Sequence, residues 1–85
     1  MSIGERALKY IFKTEKVFTR LEMADKPVSI DIGSVKRVID EAKRYFEDAK
    51  YYWERKEYEV SLASIAYCEG LLDALRMLGL IKFEW

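Results

Sequence analysis

The stretch Tyr58–Gly79, YEVSLASIAYCEGLLDALRMLG, decides the fold of this chain. It is apolar on more than one face. The small residues Ala66, Gly70 and Ala74 follow each other at four-residue spacing, which places them in one row on a helix. A row of small side chains lets a second backbone approach closely. We therefore predict a central packing helix here, with Ala66, Gly70 and Ala74 as its helix-packing row.

The same stretch carries a candidate acidic spot. Glu69 and Asp73 lie one helical turn apart and have the same charge, so a cation should meet them. Arg76 can pair with Asp73, and Tyr67 and Asp48 are further candidate members. The spacing favours salt bridging and helix registration. A divalent cation held by both carboxylates and a third oxygen ligand is the alternative.

Hydrophobic periodicity predicts three helices. Apolar residues recur at intervals of three and four in the first two helical segments. Ser2 and Glu5 have the spacing of a capping box at the first helix, while Pro27 and Gly33 interrupt the chain between helices. The predicted helices span about residues 3–23, 34–56 and 58–78.

The ends of the third helix predict how the chain folds back. A tight turn at Lys56 and Glu57 makes the second and third helices antiparallel neighbours. Gly79 is suited to end the third helix in a left-handed conformation. The tail, residues 81–85, alternates apolar and charged side chains and should lie on the helices in extended form. The expected fold is a single all-α domain, residues 1–85: a three-helix bundle built on a long antiparallel hairpin, with a short extended tail.

Composition excludes several classes of function. The sequence has no His, which rules out Ser–His and Cys–His catalysis and His metal ligands within this chain. Cys68 is the sole cysteine, so no internal disulfide forms. No catalytic, cofactor or metal residues are predicted, and the chain is not expected to be an enzyme. There is no secretory or membrane-spanning apolar segment, so a cytoplasmic location is expected.

The charge distribution favours attraction between the first and last helices, within one chain or between two copies. The net charge is zero overall, +2 in residues 1–23 and −3 in residues 57–85. Because the third helix is apolar on two sides, we predict a homodimer, without membrane or strong nucleic-acid binding. The absence of Asn and Gln, with 35% charged residues, predicts adaptation to heat.

The segments AKRYFEDAKYYWERKEYEVSLA, AYCEGLLDALRMLGL and the tail IKFEW resemble an archaeal family of uncharacterised helical proteins, domain of unknown function 357. This resemblance covers residues 42–85 best. It implies a compact all-α fold built on an antiparallel hairpin and an archaeal source, with no activity attached. It also implies an accessory role beside a nucleotidyltransferase-like partner.

Two functions from different classes remain open at this point. The first is a non-catalytic protein-interaction or self-association module. The second is a ligand- or nucleic-acid-binding accessory domain, which would use one of two exposed groups of side chains. These groups are a basic stripe on the first helix, Lys9, Lys13, Lys16 and Arg20, and an aromatic cluster, Tyr51, Tyr52, Trp53 and Tyr58.

Overall fold

A computed structural model describes residues 2–85, and Met1 lies outside the described residues. The chain forms three α-helices, α1 (Ile3–Arg20), α2 (Ile32–Glu54) and α3 (Tyr58–Met77). No strand occurs in residues 2–85, and residues 82–85 form an irregular tail. The predicted all-α class is confirmed.

The core lies between α2 and α3, which pack side by side as an antiparallel hairpin. Each helix contributes three buried residues at seven-residue spacing, which keeps one narrow seam of each helix against the other. These residues are Val35, Ala42 and Ala49 from α2, and Ser61, Cys68 and Leu75 from α3. Four of the six are small, so the two backbones come close together.

Ser61 lies where α2 and α3 pack closely together. Its hydroxyl donates a hydrogen bond of 2.7 Å to the backbone carbonyl of Ala49. A serine side chain reaches a neighbouring helix backbone only where the helices nearly touch. This bond also fixes the register, with Ala49 beside Ser61 and Ala42 close to the level of Cys68.

Replacing Ser61 with alanine tests the importance of this bond. We expect Ser61→Ala to lower the free energy of unfolding by about 1 kcal/mol, the usual value of one buried hydrogen bond. The matched control is Ser64→Ala, because Ser64 is half-buried and makes no side-chain hydrogen bond. Urea denaturation followed by circular dichroism would measure both. Equal effects of the two substitutions would contradict the assignment.

The α2–α3 turn depends on one residue in the left-handed region. Lys56 has φ 63°, while the backbone N–H groups of Lys56 and Glu57 donate to the carbonyls of Trp53 and Tyr52. These two bonds form a Schellman ending, which glycine usually provides. A residue with a Cβ atom is sterically unfavourable in this left-handed conformation, so the backbone of Lys56 is strained.

Lys56→Gly should therefore stabilise the protein. We expect the free energy of unfolding to rise by up to about 1 kcal/mol, because relief of the left-handed strain exceeds the added entropy of the unfolded chain. Arg55→Gly is the control and should destabilise, because Arg55 has φ −85°. Thermal denaturation of both variants checks the sign. A lower melting temperature for Lys56→Gly would count against strain at this turn.

The helix ends differ from the predicted ones at three positions. α2 begins at Ile32, not near Ser34, because the Asp31 carboxylate caps it by accepting the Ser34 N–H at 2.7 Å. Gly33 therefore sits inside the first turn instead of interrupting the helix. α1 ends at Arg20, since the Thr19 hydroxyl and the Arg20 guanidinium both donate to the carbonyl of Lys16. α2 ends at Glu54, just before the left-handed Lys56.

The C-terminal end of α3 follows the predicted geometry. Gly79 has φ 75°, its N–H donates to the carbonyl of Arg76, and the N–H of Leu80 donates to the carbonyl of Leu75. This pattern is a Schellman motif. The turn sends the tail back toward the last turns of α3.

α1 is exposed at every position, in contrast to the hairpin. No Cα atom of α1 lies within 8 Å of a Cα atom of α2 or α3. Only its N-terminal part approaches the hairpin, where Ile3, Ala7 and Tyr10 line a shallow cleft with Val60 and Tyr67. The radius of gyration is 15.7 Å, against about 12 Å for a compact domain of this length. The bundle thus consists of a closed two-helix hairpin and an open third helix.

The connection between α1 and α2 is exposed, although its apolar residues Val28, Ile30 and Ile32 alternate with polar ones. Val28 and Ile30 are exposed, and so is Ile32 at the start of α2. Because α1 stands away from the hairpin, the connection spans the gap and has no apolar surface to lie on.

Candidate functional site

Asp73 is the centre of the best-defined polar cluster. Its Oδ1 atom accepts hydrogen bonds from Arg76 Nε at 3.1 Å and Arg76 Nη2 at 2.8 Å, and from Trp85 Nε1 at 3.1 Å. Arg76 lies one turn further along α3, whereas Trp85 belongs to the tail. One carboxylate oxygen thus joins the end of α3 to the tail.

Aromatic contacts extend this cluster, which we call the tail clamp: Asp73, Arg76, Phe83 and Trp85. The Arg76 guanidinium lies 5.6 Å from the centre of the Phe83 ring, and Phe83 meets Trp85 edge-on at 4.8 Å. Hydrogen bonds from Arg76, and secondly from Trp85, hold the pKa of the Asp73 carboxyl below its usual range. The clamp stabilises the charged form of Asp73.

The other candidate members of the acidic spot lie apart from the clamp. Tyr67 stacks on Tyr45 of α2, with ring centres 4.3 Å apart and planes tilted by 34°. Asp48 is exposed beside Ala49, near the start of α3 in the hairpin register, so it lies on the order of 15 Å from Asp73 along the axis. Asp48 therefore does not belong to the acidic spot in which the sequence analysis placed it.

Glu69 is exposed and makes no ion pair within residues 2–85. Arg76 pairs with Asp73 alone, so the two neighbouring carboxylates have different surroundings. In the described part of the chain, no three Asp, Glu or Cys side chains are arranged to hold a metal ion. The geometry of Asp73 is that of a structural ion pair.

The tail clamp predicts acid-induced release of the tail. The lowered pKa of Asp73 contributes stability above its unfolded pKa of about 3.9, and this contribution is lost as the pH falls through the folded value. Trp85 is 66% exposed, so its indole N–H is a better reporter than its emission. In a Trp53→Phe background, the Nε1–H proton resonance of Trp85 should move toward its position in a free indole as the pH falls through the lowered pKa of Asp73.

Two substitutions make this test specific. Asp73→Ala should already show the released Trp85 Nε1–H resonance and faster exchange of this proton at pH 7. Glu69→Ala should keep the parent resonance, because Glu69 makes no hydrogen bond to Arg76 or Trp85. Circular dichroism would separate tail release from loss of helix. An unchanged Trp85 Nε1–H resonance in Asp73→Ala would refute the clamp.

The predicted helix-packing row is not filled from within the chain. Ala66, Gly70 and Ala74 are exposed, and a Cβ atom placed on Gly70 would meet no atom within 4 Å. The row lies on the side of α3 opposite the buried seam. Leu62 and Met77 flank it and are 69% and 79% exposed. These five residues form an uncovered apolar surface, which we call the outer face of α3.

α1 carries a second uncovered apolar surface. We call it the α1 apolar stripe, and it consists of Ile3, Ala7, Ile11, Thr14, Phe18 and Leu21. Its C-terminal half contacts nothing within the described chain, and Phe18 is 73% exposed. The basic stripe lies on roughly the opposite side of α1 and is exposed as well, with Lys13 Nζ 4.6 Å from the centre of the Tyr10 ring.

The aromatic cluster at the α2–α3 turn separates into two pairs. Tyr51 meets Tyr52 edge-on at 5.2 Å, and Trp53 meets Tyr58 at 6.3 Å. The Arg55 guanidinium lies 5.4 Å from the centre of the Tyr51 ring. The four rings therefore do not form one continuous stacking platform.

Two functional features were missed by sequence reasoning. Ser61 was not recognised as a packing residue, although its seven-residue spacing to Cys68 and Leu75 was a usable signal. The hydrogen bond from Trp85 to Asp73 had no such signal, because it depends on the path of the chain after Gly79. Cys68 is a buried free thiol, and burial, followed by the charge of Glu69, raises the pKa of this thiol.

Comparison with known proteins places this fold in a family. Residues 9–81 match the family described as "Protein of unknown function (DUF357)", and the chain belongs to that family. No curated protein and no solved structure matches the chain significantly. None of the helices in residues 2–85 combines the length and the apolar character that crossing a bilayer requires.

Proposed function

We propose that this DUF357 protein is a non-catalytic helical module that self-associates as a two-fold homodimer. The observation that carries the proposal is the exposed α1 apolar stripe, with Ile11 and Phe18 uncovered on an amphipathic helix. An amphipathic helix normally buries its apolar side against another element. Uncovered apolar patches of this kind mark interaction surfaces.

The total surface supports association. The accessible surface is 7715 Å², whereas a compact monomer of 10.1 kDa exposes about 5,300 Å². The excess of about 2,400 Å² is well above the ~800 Å² that each partner buries in a standard interface. A dimer is therefore the simplest state that covers the open helix, and two-fold symmetry is the commonest closed arrangement.

Three features support a non-catalytic role. The sequence lacks His, the commonest general base. Its one thiol, Cys68, is buried and its pKa is raised, so little nucleophilic thiolate forms at neutral pH. Hydrogen bonds from Arg76 and Trp85 lower the pKa of Asp73, which makes this carboxylate a weak proton acceptor.

Sedimentation velocity over a range of concentrations tests self-association. We expect a dimer at high micromolar concentration and a melting temperature that rises with concentration, because association stabilises the folded chain. Phe18→Asp should shift the chain to monomer at concentrations where the parent is dimeric. The matched control is Phe12→Asp, because Phe12 is exposed on another side of α1. A monodisperse parent monomer at high micromolar concentration would refute the proposal.

A second function rests on the basic stripe of α1. Lys9, Lys13, Lys16 and Arg20 are exposed and form no ion pair within residues 2–85, so they are available to phosphates. This arrangement supports an accessory domain that binds nucleic acid and serves a nucleotidyltransferase-like partner. Binding of single-stranded RNA that weakens steeply with salt, and is lost in Lys13→Glu/Arg20→Glu, would support it. Salt-independent or absent binding would reject it.

A further inference from the structure

We propose that the C-terminal half of the α1 apolar stripe docks on the outer face of α3 in a second copy of this chain, and reciprocally. This inference rests on the proposed self-association and identifies its two contacting surfaces. It assigns Ile11, Phe18 and Leu21 of one copy to Gly70 and Met77 of the other. The bundle that each chain leaves open is thereby completed by the neighbour.

The first argument is the position of α1 in its own chain. Ile3, Ala7 and Tyr10 lie beside Val60 and Tyr67, on one side of α3. Beyond this point the helix leaves the hairpin without any close backbone contact. The hairpin of the same chain therefore lies beside the beginning of the stripe, where Ile3 is still 59% exposed, and leaves its last three turns without a neighbour.

The second argument is the shape of the outer face of α3. Its centre is flat, because Ala66, Gly70 and Ala74 carry at most one methyl group and nothing in the chain lies over Gly70. Leu62 and Met77 stand at its edges. A flat centre with large residues at the rim can accept the protruding side chains of Ile11 and Phe18.

The third argument is charge complementarity. Residues 1–23 have a net charge of +2, and residues 57–85 have a net charge of −3. Lys13 lies on the other side of α1, beside Phe12, so the basic residues of α1 stay exposed when the stripe docks. The opposite net charges of the two segments therefore act at long range and steer the encounter of two copies.

A size exchange tests the inference. Variant A carries Phe18→Ala, and variant B carries Ala74→Leu. Variant A loses the protruding ring from both reciprocal contacts and variant B fills the flat centre of both, so each dissociation constant should rise about tenfold. Mixed at equal concentration, A and B should form a heterodimer within about threefold of the parent affinity, since one contact is that of the parent and the other places the new leucine opposite the new alanine.

The outcomes separate this inference from the proposed self-association. If A and B each dimerise like the parent, or if mixing restores nothing, the docking of α1 on α3 is refuted while dimerisation itself stands. If the parent is monomeric at high micromolar concentration, both proposals fall. Docking of α1 on its own hairpin would make A and B insensitive to mixing, and this would also overturn the inference.

A steric pair at Gly70 provides an independent test. Gly70→Ala and Gly70→Leu both favour helix over glycine, and the site has space within the chain, so both variants should fold. Gly70→Leu should raise the dissociation constant at least about tenfold by filling the flat centre, while Gly70→Ala should change it less than about threefold. Parent-like association of Gly70→Leu would overturn the inference. Circular dichroism confirms folding in each case.

Discussion

The close approach of α2 and α3 is the constraint on which the rest of this structure depends. A serine hydroxyl bonded to a backbone carbonyl, with Ala42 and Cys68 nearby in the seam, leaves room only for small side chains in this part of the interface, while the larger Val35 and Leu75 are buried at its far end. The benefit is a well-defined register. The cost is a thin core, because small residues remove little apolar surface from water. Among the described residues, no large side chain is fully buried.

Because the core is thin, the stability of the folded chain depends strongly on contacts at the edges of the hairpin. Aromatic residues such as Tyr45 and Tyr67 widen the seam on one side, while the tail clamp ties the last turn of α3 to the end of the chain. These contacts lie at the edge of the core and are partly exposed to solvent, so each adds modest stability. α1 carries a large exposed apolar surface. The stability of a single copy is limited as long as that surface faces solvent.

The sequence predicted those parts of the fold that depend on local signals. Three helices, the cap at Ser2 and the ending at Gly79 each follow from residues within one or two turns. The start of α2 was misjudged, because Gly33 was taken as a breaker although the neighbouring Asp31 caps the helix. The ion pair between Asp73 and Arg76 could be predicted because the two residues lie one turn apart in one helix. The hydrogen bond from Trp85 could not, because Trp85 is distant in the sequence.

The packing side of α3 was harder to predict for a physical reason. Two small-residue series run along this helix, one through Ser61 and Cys68 and the other through Ala66 and Gly70. Both satisfy the requirement for close approach, and periodicity alone does not rank them. The facing series in α2, with Ala42 and Ala49 seven residues apart, matches the first. A comparison of spacing between the two helices would have resolved the choice, whereas inspection of one helix did not.

The length of the connection between α1 and α2 sets how far α1 can move from its own hairpin. Residues 21–31 form no helix, and a flexible segment of this length has a root-mean-square span of about 17–20 Å. Such a tether holds α1 near its own hairpin at an effective concentration in the millimolar range. Any neighbour must compete with this tethered helix. Tether length thus sets the concentration at which intramolecular and intermolecular docking balance, and a change in that length would move the balance without altering either surface.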